Sequence, residues 1–266
     1  MSKHGSARVV LAGAAIAVTA ALAGCGGVPN GTKPDVPGEN GGGTAAAAAT
    51  SRLSSTAPLT AQQSAIAAKS FAKANSIPFP VAVGNTWVYQ TQSGGQTGRT
   101  TNRVVGAGPG SAGFRVTVSS TTDIGGSAST VVPVYTFYPD GTIGYPVPSV
   151  SGVPGTGSDI RWPDAAGLAS GKVYHSVLHI QGGSADVTVQ GTGTTSISVP
   201  AGTYRASMVK TTISAQGQTA EVTVWIAQGT GPVKIQVLVR APGGTGLTTS
   251  ELLSFTKAVS AIGDGS

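Results

Sequence analysis

From Trp87 onward, apolar and polar residues alternate with a period of two, and glycine-rich turns interrupt the alternation at short intervals. Val116 and Val118 are interleaved with Thr117 and Ser119. Val222, Val224 and Ile226 are interleaved with Glu221, Thr223 and Trp225, and Val233, Ile235, Val237 and Val239 with Lys234, Gln236 and Arg240. Successive side chains of a strand point to opposite faces, so this period gives strands with one apolar and one wetter face. Turn chemistry separates them at Gly94-Gly95, Gly108-Pro109-Gly110, Gly125-Gly126, Pro139-Asp140-Gly141, Gly182-Gly183 and Gly243-Gly244. Connections this short suit hairpins and leave no room for the crossover helices of a parallel sheet. The expected class is therefore mainly β and antiparallel.

Composition agrees with that class. Only 10% of residues are charged, against about 25% in an ordinary soluble domain. The formal charge of +6 shrinks if Lys3 and Arg8 leave with an export segment. Arg99, Arg103, Arg115, Lys172, Arg205, Lys210, Lys234 and Arg240 stand singly, with no basic run and no interleaved aromatics. Nucleic-acid binding needs a concentrated basic face to release counterions, so no nucleic-acid partner is expected. Scattered solvated charge is the preferred reading over attraction to an anionic envelope surface. The single cysteine, Cys25, lies ahead of the alternating region, which leaves that region without disulfides or thiolate metal sites.

Lys3, His4 and Arg8 precede the apolar run Val9 to Ala21. That run falls short of the roughly 20 residues needed to span a bilayer and suits the core of an export signal. It ends in Leu22-Ala23-Gly24-Cys25, which resembles the lipobox of bacterial lipoproteins. The resemblance implies that residues 1–24 are a signal peptide cut between Gly24 and Cys25. Cys25 then becomes the lipid-modified first residue of the mature chain, and its partner is a membrane on the extracytoplasmic side of the cell envelope. Each buried acyl methylene contributes about 0.8 kcal/mol, so two or three chains hold firmly.

Residues 25–58 read as a lipidated, disordered tether of Gly, Ala, Thr, Ser and Pro, with a typical reach of roughly 30 Å. Thr60 to Asn75 is the one helix candidate: Thr60 and Gln63 form a capping-box pattern, Ala65, Ile66, Ala68, Phe71 and Ala72 form a stripe, and Pro78 and Pro80 end it. Residues 59–260 then form one β-rich domain with this helix against its sheet. Within it 146–171, rich in Pro and Gly, is expected to be a long loop. Residues 261–266 are a flexible tail.

Two segments extend the reading. Gly84-Asn85-Thr86-Trp87-Val88-Tyr89 resembles the opening strand of a group of uncharacterised bacterial secreted and lipid-anchored β-domains. Val199-Pro200-Ala201-Gly202-Thr203-Tyr204, with Gly229-Thr230-Gly231-Pro232-Val233-Lys234, resembles that group's closing half. Such domains are similar in outline to the open half-barrels of periplasmic lipoprotein carriers and mycobacterial lipid-binding lipoproteins. The resemblance implies an open or partly closed antiparallel β-barrel and carries no catalytic residues. Trp87 and Tyr89 share one strand face as core anchors. Pro232, where an apolar residue with an N–H is expected, removes a donor from its hairpin.

Other chemistry fits poorly. His175 and His179 have the spacing of a helical metal pair, but in a strand their rings lie about 13 Å apart. Ser70-Phe71-Ala72-Lys73 and Ser254-Phe255-Thr256-Lys257 match Ser-x-x-Lys, yet Ser158-Asp159 and Lys210-Thr211 fail to complete the accompanying motifs. Gly171-Lys172 lacks the rest of a phosphate loop. No catalytic, metal or cofactor residue is assigned. The sequence points to a non-enzymatic, membrane-anchored lipoprotein that binds an apolar or amphiphilic ligand such as a lipid. The alternative is a structural or protein-interaction module with its concave face filled by its own side chains. An enzyme is the third reading. The sequence names no protein partner.

Overall fold

The computed structural model describes residues 80–145, 160–180, 183–215 and 217–258. Among them thirteen strands form one antiparallel sheet. In chain order these are β1 (Thr86–Ser93), β2 (Gln96–Pro109), β3 (Phe114–Ile124), β4 (Ser127–Val131), β5 (Val134–Phe137), β6 (Ile143–Tyr145), β7 (Ile160–Trp162), β8 (Val173–Ile180), β9 (Gly183–Val199), β10 (Gly202–Ala215), β11 (Gln218–Ala227), β12 (Gly231–Ala241) and β13 (Gly244–Thr256). A short helix, α1 (Ala165–Ala169), lies between β7 and β8. The strands run β7-β6-β5-β3-β2-β1-β13-β12-β11-β10-β9-β8, with β4 paired to β3 off this path. The two ends of the path approach each other and the sheet forms a nearly closed barrel.

Local chemistry sets the register. The β1–β2 pairing ends at Ser93 opposite Gln96, leaving a two-residue loop of Gly94 and Gly95. Both glycines have positive φ, 57° and 80°, as the tight hairpin turn that matches strand twist requires. The alternation seen in the sequence then becomes inside and outside. Trp87 and Tyr89 on β1, Val116 and Val118 on β3, Val222 and Val224 on β11, and Val233, Ile235 and Val237 on β12 are all buried in one core. Each such side chain contributes about 1.5–3 kcal/mol when fully buried.

Closure needs curvature, and four register shifts supply it: Val88/Tyr89, Val104/Gly106, Ser207/Val209 and Trp225/Ile226. A bulge bends its strand and raises the local twist, which lets a flat ladder curl. The last shift lies beside Pro232, paired with Ile226, where the missing N–H was expected to disturb the hairpin.

The segment 146–171 is not all loop. Ile160 and Trp162 alternate about exposed Arg161 and form β7 against β6. Asp164 then caps α1, its carboxylate accepting from the Gly167 N–H at 2.8 Å. The Pro and Gly content concealed a strand only three residues long and a helix of five. The part at 146–159 lies outside the described residues, as do the helix expected at Thr60–Asn75, the 25–58 tether and the tail.

Candidate functional site

The segments singled out in the sequence meet at the barrel end where β1 begins. The Trp87 indole N–H donates to the Thr230 carbonyl oxygen at 2.6 Å, and the ring stacks on Phe255 with centroids 5.2 Å apart. The Tyr89 hydroxyl donates to the Pro232 carbonyl oxygen at 2.9 Å, supplying a donor where the bulge interrupts the ladder. The turn after β9 folds onto the same end, where the Ala201 N–H donates to the Leu252 carbonyl oxygen at 2.9 Å. Asn85 ties the end together: its N–H donates to Ala82, its carbonyl accepts from Val104, and its Oδ1 accepts from the Ala258 N–H at 2.8 Å. Residues far apart in sequence thus close one rim through side-chain bonds to backbone groups, while the Asn85 Nδ2 is buried without a hydrogen-bond partner.

A second cluster lies on the inner face of β3, β2, β1 and β13. Hydroxyl bonds run from Thr122 to Thr100 at 3.0 Å, from Thr100 to Thr91 at 2.8 Å and from Thr91 to Ser250 at 2.9 Å. Ser93 bonds Thr248 at 2.9 Å alongside. A hydroxyl both donates and accepts, so such a buried row satisfies itself. The sequence reading missed this row. Its members occupy inward positions of the alternation, but only the strand pairing reveals that they adjoin. Asn102, on the same face of β2, is 1% exposed, and neither its Oδ1 nor its Nδ2 has a hydrogen-bond partner. The Thr211 hydroxyl on β10 is buried in the same condition.

Burial pushes the Tyr89 and Tyr135 hydroxyls well above the usual tyrosine value, and Tyr89 adds to the effect at Tyr135. Both hydroxyls therefore stay neutral at ordinary pH, and that of Tyr89 donates to Pro232. Outside the barrel, Lys210 and Arg240 converge on Glu221 at 2.8 and 4.0 Å, and Lys234 pairs with Glu251 at 2.7 Å.

Gly24 and Cys25 lie outside the described residues, as do Ser70-Phe71-Ala72-Lys73 and Ser158-Asp159. His175 and His179 both belong to β8, so the pair lies along a strand as expected. Ser254 and Lys257 are exposed at the end of β13. Lys210 points outward while Thr211 is buried inside, which separates those neighbours to opposite faces. Among the described residues no three of His, Cys, Asp and Glu lie together.

No family model and no curated protein matches the chain. Two solved structures match over 67% of this chain and 98% of their own. One is a Bacteroides fragilis protein described as a "putative exported protein with YmcC-like fold", 18% identical with a TM-score of 0.45. The other is a "putative lipoprotein" from Parabacteroides distasonis, 16% identical with a TM-score of 0.47.

Proposed function

We propose that the chain is a lipid-anchored lipoprotein of the cell envelope whose barrel serves as a structural or protein-interaction module, without enzymatic activity. The observation that carries the module reading is the closed interior. Tyr89, Val104, Val116, Val233 and Leu252, on five strands, are each 0% exposed. A groove ready for an acyl chain keeps its apolar lining accessible, whereas these side chains are packed away from solvent. The inner hydroxyls bond one another rather than a neighbouring base, which leaves no activated nucleophile among them. Anchoring rests on Leu22-Ala23-Gly24-Cys25. Together these features favour recognition through the outer surface of a preformed barrel over carriage of a lipid inside it.

The test has two arms. Replacing Cys25 with Ala is expected to abolish the acyl adduct on the first mature residue and to let a wash of about 0.5 M sodium chloride release the protein from membranes. Native mass spectrometry of the mature chain carrying Cys25→Ser is expected to show no co-purifying lipid. Absence of an acyl mass on the first mature residue of the parent overturns the anchor, and a stoichiometric lipid that persists through a high-salt wash overturns the module reading.

A further inference from the structure

We propose that the barrel rim from which the N-terminal segment emerges is a membrane-docking surface for anionic phospholipid headgroups. The inference rests on the anchored reading only for its geometry. Residue 80 is the first described residue and leads directly into β1, so the chain that connects to Cys25 enters at this rim.

The charges divide by partner. One set of cations has acidic or aromatic neighbours. Arg99 lies directly across from Asp123, Lys210 and Arg240 share Glu221, and Lys234 holds Glu251. Lys172 lies over the Tyr174 ring at 5.4 Å. Arg161, level with Arg115 through Thr136 and Gly144, lies at the rim but is engaged by Asp140 at 3.5 Å and by the Tyr138 ring at 3.4 Å.

Arg103, Arg115, Arg205 and Lys257 are different. All four are exposed, and among the described residues none has an acidic partner. Arg103 lies between Thr86 and Ser119, Arg115 between Gly108 and Thr136, and Arg205 opposite Ser196.

Register places the four together at one end. Arg103 is level with Thr86, the first residue of β1, and Lys257 follows Thr256, the residue of β13 level with Thr86. Arg115 lies beyond Arg103 along the β2–β3 ladder. Arg205 precedes Ala206, the partner of the last residue of β11, on the hairpin whose turn folds over Leu252. Singly placed in sequence, these cations form a positive rim in space. Val83 and Val105, 54% and 48% exposed, flank Arg103, and the Gly84 N–H bond to the Val104 carbonyl brings their segments side by side. Unpaired cations interleaved with small apolar side chains suit the headgroup layer of an anionic bilayer.

The experiment is vesicle co-sedimentation of the mature chain carrying Cys25→Ser, which removes the anchor and leaves only the surface. Vesicles of phosphatidylcholine alone are compared with vesicles containing about one-third phosphatidylglycerol, in about 0.05 M and about 0.5 M sodium chloride. Binding is expected to the anionic vesicles alone and to vanish at the higher salt. Each cation near the surface is worth on the order of fivefold in partitioning. The combined variant Arg103→Gln, Arg115→Gln, Arg205→Gln and Lys257→Gln should therefore lose at least about tenfold. The combined control Arg99→Gln, Lys172→Gln, Lys210→Gln and Arg240→Gln removes the same charge elsewhere and should bind like the parent. Equal losses in the two variants, or no preference of the parent for anionic vesicles, overturns the proposal. The parent's salt and lipid dependence decides even if a variant fails to fold. The mass of the first peptide of membrane-extracted protein tests the anchor separately, so the anchor and the docking rim can fail independently.

Discussion

The indole N–H of Trp87 donates to the carbonyl oxygen of Thr230, 143 residues away, at 2.6 Å. Two residues further along β1, the Tyr89 hydroxyl does the same for the Pro232 carbonyl oxygen. The aromatic pair of the first strand thus holds the turn between β11 and β12, and the two sequence segments that looked alike to one domain group are in direct contact. Their shared role is closure of a rim. Tyr89→Phe keeps the ring and removes the donor, leaving a buried carbonyl short of a partner, and should destabilise the domain by about 1–2 kcal/mol. Trp87→Ala also loses the stack on Phe255 and should cost about 3–5 kcal/mol. Urea unfolding at neutral pH measures both. A Tyr89→Phe variant as stable as the parent would show that the bond to Pro232 contributes nothing.

Gly191 tests how α1 is seated. A Cβ added there would overlap the backbone carbonyl of Leu168, and backbone cannot swing aside as a side chain can. Gly191→Ala should therefore push the helix off β9 and cost about 1–3 kcal/mol. Gly243→Ala meets nothing within 4 Å and should stay within about 0.5 kcal/mol of the parent. Equal thermal stability of the two variants would mean that α1 is not packed where β9 leaves room for it.

The class of fold was legible because period-two alternation and glycine turns act locally. Val116, Val118, Val222, Val224, Val233 and Ile235 are buried as the pattern demands. Pairing partners were not legible. Nothing in the sequence brings Thr91 to Ser250, 159 residues away, because their contact depends on β1 and β13 meeting as the barrel curls. The same holds for Arg103 and Lys257, isolated charges in sequence and neighbours in level on the rim. β7 escaped notice for another reason. Three residues are too few for a period to register, and Ile160 and Trp162 become a strand only because β6 offers them a ladder.

Asn102 carries a cost that the surrounding fold does not offset. Its carboxamide is 1% exposed with both polar atoms unpartnered, and each such group forfeits about 1–3 kcal/mol of solvation. Asn102→Leu has a similar volume and no polar atoms, so it should stabilise the domain by about 1 kcal/mol or more. Thr91→Val is the opposite case: it removes the member that joins Thr100 to Ser250 and should destabilise by about 1–2 kcal/mol. Denaturant midpoints shifted in the same direction by the two substitutions would contradict this division of the inner face into satisfied and unsatisfied polar groups.

Alkaline unfolding offers a test of the interior as a whole. Burial raises the Tyr89 and Tyr135 hydroxyls above the ordinary tyrosine value of 10.0. The unfolded chain releases these protons near that value, while the folded chain retains them. Above it, the folded state binds more protons than the unfolded one, and stability falls as pH rises. The contribution is fully present below pH 10.0 and is lost as pH climbs toward the folded-state values, at about 1.4 kcal/mol per pH unit for each tyrosine. Urea midpoints of the parent should therefore fall steeply between about pH 10 and about pH 12. Tyr89→Phe and Tyr135→Phe should each start lower or near the parent at neutral pH and then decline less steeply, by one proton's share. Each variant differs from the parent by one hydroxyl, so the difference in slope isolates the buried pair. Parallel loss of stability in parent and variants would mean that these hydroxyls reach water in the folded protein and that the interior is more open than the packing of Tyr89 and Tyr135 requires.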